Sequence, residues 1–114
     1  MIMRNVIALR RRLSLADDRA QELADIFRLL GDGSRLRIVI ACLHAPVSVT
    51  VLAEQLDLSV SLVSHHLRLL KAARIVRSER QGKQVFYRAA DRHIQCVITD
   101  MVEHLGEPHD HDEE

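Results

Sequence analysis

Apolar residues recur at steps of three and four in five separate stretches of this chain, which is the spacing of helices that bury one face. The first stretch is Leu23, Ile26, Phe27 and Leu30, with Asp17 or Asp18 as its cap and Gly31 as its end. Gly33 and Ser34 open the second, with Leu36, Val39, Ile40 and Leu43 inward and Pro46 beyond its end. Thr50 caps a short third helix containing Leu52, Ala53 and Leu56. After a tight Asp57-Leu58 connection, Ser59 caps a fourth that runs to about Ala73, with Val60, Val63, Leu67 and Leu70 inward. The period then drops to two near residues 75–80 and 84–88, split by Gln81-Gly82-Lys83, which predicts a β-hairpin. The last helix, residues 91–106, carries Ile94, Val97, Ile98, Met101, Val102 and Leu105, and Pro108 stops it. The expected fold is mainly α with a small β-hairpin. One domain, residues 17–107, lies between an N-terminal arm (1–16, loose or a short docking helix) and an acidic His-containing tail (108–114).

Two helices joined by a three- or four-residue turn and followed by a basic hairpin predict a winged helix-turn-helix. On the fourth helix Ser61, Ser64, His65 and Arg68 form an outward stripe opposite the apolar one. Small hydroxyls near a helix N-terminus, Ser59 included, allow close approach to the major groove, and Arg68 suits phosphate or guanine. In the wing, Arg77, Arg80, Gln81 and Lys83, with Arg88, supply contacts to the DNA backbone. His66 lies beside Leu62 and Leu69 and reads as a packing histidine; His44 reads as a helix-end histidine bonded to terminal carbonyls.

Formal charge sums to zero over 114 residues, but it is unevenly placed. Residues 59–92 hold eight Lys or Arg against Glu79 and Asp91, whereas residues 93–114 hold seven acids and no Lys or Arg. That split suggests one surface for a polyanion and another for cations, against the plain alternative of solvated charge runs. No run is long enough to span a membrane, and the N-terminus lacks the features of a signal peptide. Cys42 and Cys96 give neither a disulfide framework nor a thiolate zinc pair, so a reducing cytoplasm is the expected location.

The acidic segment contains a metal-ligand pattern: Asp91, His93, His104 and Glu107. On one helix His93 and His104 share a face but stand roughly 16 Å apart along the axis. No single ion with bonds near ~2 Å can touch both. The four can hold one ion only across two antiparallel copies of the helix, Asp91 and His93 of one meeting His104 and Glu107 of the other. Two-fold symmetry makes that site twice. Asp91 and His93 converge only if Asp91 lies at or before the N-cap. Two imidazoles and two carboxylates suit tetrahedral zinc, with cobalt able to substitute. The alternative is a solvated helix that happens to carry two His and two acids.

With these residues in hand, SLVSHHLRLLKAARIV followed by RSERQGKQVFYR resembles the recognition helix and wing of the ArsR/SmtB repressors. The resemblance covers about residues 18–107. It implies a homodimer through the N- and C-terminal helices that binds operator double-stranded DNA at an inverted repeat and leaves it when an effector binds. Asp91-x-His93 and His104-x-x-Glu107 match that family's C-terminal-helix zinc site. The family's thiolate site at the third helix finds no counterpart in Val47-Ser48-Val49-Thr50. The resemblance also implies a relay from His104 to backbone near Arg74, and an effector of Zn(II) or Co(II), with Ni(II) in some relatives.

Two alternatives stay open. His109 and His111 would expand the site toward octahedral geometry and favour nickel or cobalt; a loosely cation-attracting tail is the plainer reading. Cys42 and Cys96 would serve a redox or persulfide sensor, against the plainer reading of both as packing residues. Asp100 shares the metal face as a nearby carboxylate rather than a ligand. An enzyme is not expected, because no His-Glu-x-x-His motif, phosphate loop or nucleophile elbow occurs.

Overall fold

The computed structural model describes residues 2–108, with side chains from residue 16 onward. The chain divides into two compact units, Met1–Gly33 and Ser34–Glu114. The first consists of one helix, α1 (Ile2–Leu30). This corrects the expected start at Asp17 or Asp18: both lie inside the helix, and the stretch expected as an arm is its N-terminal half. Residues 2–16 contain no Gly or Pro and several strong helix formers, so nothing local interrupts the helix there. Gly31 follows its end, as expected. The tail with His109 and His111 lies outside the described residues.

The second unit contains α2 (Gly33–Ala41), whose first residue adjoins it, then β1 (Val47–Ser48), α3 (Val49–Leu56) and α4 (Val60–Ala72). The hairpin β2 (Val76–Gln81) and β3 (Gln84–Ala89) and the last helix, α5 (Arg92–Gly106), follow. The antiparallel sheet has the order β1-β3-β2. β1 was not expected, since two residues are too short to show a period. Its pairing of Val47 with Tyr87 and Ser48 with Phe86 ties the start of α3 to the wing. Ser48 ends that strand in extended geometry and becomes the α3 N-cap, its Oγ accepting the Val51 N–H at 3.3 Å. Thr50, the expected cap, is therefore inside the helix.

Both helices of the helix-turn-helix end on a residue with positive φ that is not glycine. Asp57 (φ 55°) follows α3, with the Leu58 N–H on the Ala53 carbonyl at 3.0 Å; Arg74 (φ 61°) follows α4, with the Ile75 N–H on the Leu70 carbonyl at 2.9 Å. These six-to-one bonds close a helix end and satisfy carbonyls that would otherwise lack partners. In the wing, Gln81 pairs with Gln84, leaving Gly82-Lys83 as a two-residue turn. Gly82 takes φ 66° at its first central position, as a type II′ hairpin turn requires.

The core gathers Ile38 and Val39 from α2, Cys42 and Leu43 from the turn that follows it, Leu52 and Ala53 from α3, and Val63, Leu67 and Leu70 from α4. Ile75 and the cross-strand pair Val76–Ala89 close it at the base of the wing. Ile40, expected inward, is exposed: it lines a groove facing Thr99 and Val102 of α5, while Ile38 takes the core position. Of the α5 stripe only Ile98 is buried; Leu105 is 79% exposed, and Val97, Met101 and Val102 are about half exposed. Among the described residues no helix is long and apolar enough to cross a membrane.

A left-handed backbone costs an L residue roughly 1–2 kcal/mol, and glycine returns part of that gain through a freer unfolded chain. Arg74→Gly is therefore expected to stabilise the fold by about 0.5–1 kcal/mol. Thermal denaturation at fixed chain concentration checks this; an unchanged or lower midpoint would show that the Arg74 side chain itself contributes stability.

Candidate nucleic-acid interface and metal centre

α4 presents its two faces as the sequence predicts for all but its first apolar residue. Val63, Leu67 and Leu70 are buried, and Ser61, His65 and Arg68 are exposed on the opposite side, with Ser64 half-buried between. Ser59 Oγ accepts the Leu62 N–H at 3.1 Å and lies 3.4 Å from Ser61 Oγ. The cap occupies an acceptor site of Ser59, and the two serines share one hydroxyl proton between them, which leaves the other hydroxyl proton for a further acceptor. Val60, placed on the inward stripe by its spacing, is half exposed, because the first turn projects beyond the core. His66 is buried at 6% exposure, as its packing role required. Its Nδ1 accepts from Arg35 Nε at 3.1 Å, a tie from α2 to the reading helix that sequence spacing did not reveal.

In the wing Arg77 stands directly across from Arg88. Like charges opposed on a sheet repel, and Glu79 relieves this by reaching both, Arg88 at 3.2 Å and Arg77 at 3.6 Å. Arg77 and Gln81 lie on one face of β2 and Arg80 on the other, since strand residues alternate. Arg80 folds over the turn, its Nε donating to the Gly82 carbonyl at 3.3 Å, with Lys83 exposed beside it. The wing tip thus carries two cations next to a glycine turn, while Arg77 is partly neutralised by Glu79.

Asp91 is the N-cap of α5, as the convergence of Asp91 and His93 demands: one oxygen, Oδ1, accepts the Ile94 N–H at 3.0 Å. The second oxygen is left for another partner. His93 follows in the first turn, His104 lies in the last turn, and Glu107 is the C-cap; all four side chains are exposed. The structure therefore puts Asp91 with His93 at one end of α5 and His104 with Glu107 at the other, and does not bring the two pairs together. Among the described residues no three His, Cys, Asp or Glu of one chain are grouped to hold a metal ion. Each end offers one imidazole and one carboxylate, which is half of a tetrahedral donor set.

α5 joins its own unit through Ile98, through Gln95 Nε2 donating to the Leu43 carbonyl at 3.1 Å, and at its base through Ala89 N–H on the Cys42 carbonyl. No pattern in the sequence marks Gln95 for this. His44, expected at helix-end carbonyls, lines two open grooves of about 270 and 260 Å³ between the end of α2 and α5.

The family model described as "Bacterial regulatory protein, arsR family" matches residues 32–78, from the turn before α2 into the wing. A "Transcriptional repressor SmtB homolog" from Synechocystis is 39% identical over 90 residues, 79% of this chain and 68% of its own. The chain belongs to the arsR family. A "Cadmium resistance transcriptional regulatory protein CadC homolog" from Staphylococcus aureus is 30% identical over 99 residues, 86% of this chain and 82% of that protein. Among solved structures, a homodimeric winged helix-turn-helix DNA-binding domain from Mycobacterium bovis superposes with TM-score 0.71. At 21% identity over 83% of this chain and 93% of that one, it shows the shared fold.

Within this arsR-family chain the two cysteines differ sharply. Cys42 is fully buried in the core, and burial pushes its thiol up to about 11. Cys96 is exposed on α5, in the groove with His44 and Asp100. Because the thiolate is the reactive form, native protein at pH 8 is expected to lose one thiol, Cys96, to a disulfide reagent. The second should react only on unfolding or as pH approaches 11. Thiol counting before and after denaturant checks this; two rapidly reacting native thiols would contradict it.

Proposed function

We propose that this protein is a metal-responsive transcriptional repressor. As an apo homodimer it binds operator DNA at an inverted repeat, and it is released when Zn(II) or Co(II) binds between two α5 helices. The observation that carries the metal site is the surface of α5. Val97, Met101 and Leu105 form an exposed apolar strip four residues apart, and His93 and His104 flank it on the adjoining face. An apolar strip of this kind marks a protein contact. A second copy packed antiparallel against it brings Asp91 and His93 of one subunit to His104 and Glu107 of the other. The relatives, a transcriptional repressor in one case and a cadmium-resistance regulator in another, support repression and a metal effector.

In this reading Ser59, Ser61, Ser64, His65 and Arg68 of α4 meet the major groove, while Arg77, Arg80, Gln81 and Lys83 meet the backbone beside it. Asp91 keeps its cap to Ile94 through one oxygen and offers the other as a ligand. A bound zinc or cobalt ion supplies a cross-link between subunits. Tying the two α5 helices fixes the angle between the reading heads, and a mismatch with half-site spacing lowers DNA affinity. By linkage, DNA weakens metal binding by the same free energy, typically about 1–3 kcal/mol.

Operator binding followed by fluorescence anisotropy under reducing conditions, with zinc, cobalt and nickel added in turn, tests this. Zinc or cobalt is expected to lower affinity about 5–150-fold, and His93→Ala to abolish the response while leaving apo binding intact. If nickel acts best and removal of residues 109–114 ends its effect, the tail completes the site. If no metal acts but persulfide or oxidant does, the cysteine reading replaces this one.

A further inference from the structure

The first helical residue of α4 is an exposed valine that the fold does not use. Val60 is 51% exposed, whereas Val63, Leu67 and Leu70 of the same stripe are at most 1% exposed. Local helix chemistry does not ask for it. The first turn favours acids or proline, and a β-branched residue there gains nothing from the helix dipole. The turn in fact contains no acid, which removes the one charge that would repel phosphate. Val60 follows the Ser59 cap directly and sits one turn before Ser64, on the margin of the outward polar face.

A recognition helix enters the major groove by its N-terminal residues. Of all the groups the four base pairs display there, the C5-methyl of thymine is the only methyl and the one that projects furthest as an apolar contact. Serines, histidine and arginine read donors and acceptors; a bare isopropyl group has neither to offer and gains most by packing on that methyl. We infer that Val60 is a specificity-determining residue that packs on a thymine methyl, so each operator half-site carries an A·T pair under the start of α4. The inference rests on the DNA-binding reading above and narrows the substrate to half-sites with thymine at that step. Leu62, 39% exposed on the other flank of the helix, provides the comparison.

The experiment takes a duplex selected by the full chain from a randomised inverted-repeat library. Each thymine is replaced singly by uracil, which removes the methyl and keeps every hydrogen bond. Binding is measured for the parent chain, Val60→Ala and Leu62→Ala. Burying one methyl corresponds to about a fourfold change in affinity. One half-site thymine is expected to cost the parent about fourfold when replaced, on the order of fifteenfold with both half-sites changed, and to cost Val60→Ala nothing. Leu62→Ala should retain the parent's penalty. Equal uracil penalties in the parent and Val60→Ala, or a penalty lost in Leu62→Ala instead, overturns the role of Val60 and leaves DNA binding standing. Failure of the library to yield any preferred duplex overturns both the inference and the reading it rests on. Because Val60 is outside the core, matching thermal midpoints for the parent and Val60→Ala are expected, and they separate lost reading from lost folding.

Discussion

Burial of one side of α4 is the constraint from which the rest of the reading unit follows. Val63, His66, Leu67 and Leu70 are held between α2, α3 and the base of the wing, with the Arg35–His66 bond adding a directional tie. The helix cannot turn about its axis by even one residue, because a step of about 100° would carry Arg68 toward the core. A guanidinium there would lack partners, and removing an unpaired charge from water costs several kcal/mol, on the order of total fold stability. The outward position of Ser61, His65 and Arg68 is thus enforced from inside. The six-to-one bonds after Asp57 and Arg74 add the remaining restraint, fixing the turn before α4 and the entry into the wing.

The wing repeats that logic at smaller scale. Its base is fastened by the buried Val76–Ala89 pair and by the Ala90 N–H on the Ile75 carbonyl, and the short β1 extends the sheet toward α3. Toward the tip, burial falls away and charge takes over. Glu79 absorbs the repulsion between Arg77 and Arg88, leaving Arg80 and Lys83 as the cations beside the glycine turn. A rigid base with a charged tip is what backbone contact to a polyanion needs, since position is set by packing and attraction by charge.

α5 is the least satisfied element. It is fixed to the unit by Ile98 and by the Gln95 bond to the turn after α2, yet most of its apolar residues face solvent. Its potential ligands are divided between its two ends. The second feature follows from a straight helix longer than any single coordination sphere, and a second antiparallel copy would answer both under the proposed function. The Gln95 bond then links the helix that carries these potential ligands to the turn after α2, and α2 contacts the reading helix through Arg35.

Local pattern by itself determined much of this protein. The periods of three to four and of two marked α2–α5 and the hairpin. Ser59 and Asp91 were legible as caps because a side-chain oxygen before an apolar run has one purpose there. The spacing of His93 and His104 implied, from helix rise alone, that one chain could not close a metal site. Recognition helix and wing together were specific enough to point to the family. Tertiary structure decided which apolar faces are covered: Ile38 rather than Ile40 is buried, Val60 is left in solvent, and α5 keeps one buried residue of six in its stripe. It moved the α3 cap from Thr50 to Ser48 because β1, too short to read, pairs with β3. It supplied the Arg35–His66 and Gln95–Leu43 bonds, whose partners lie 31 and 52 residues apart. Periodicity records the face a helix offers; only the long-range contacts of the folded chain determine what meets it.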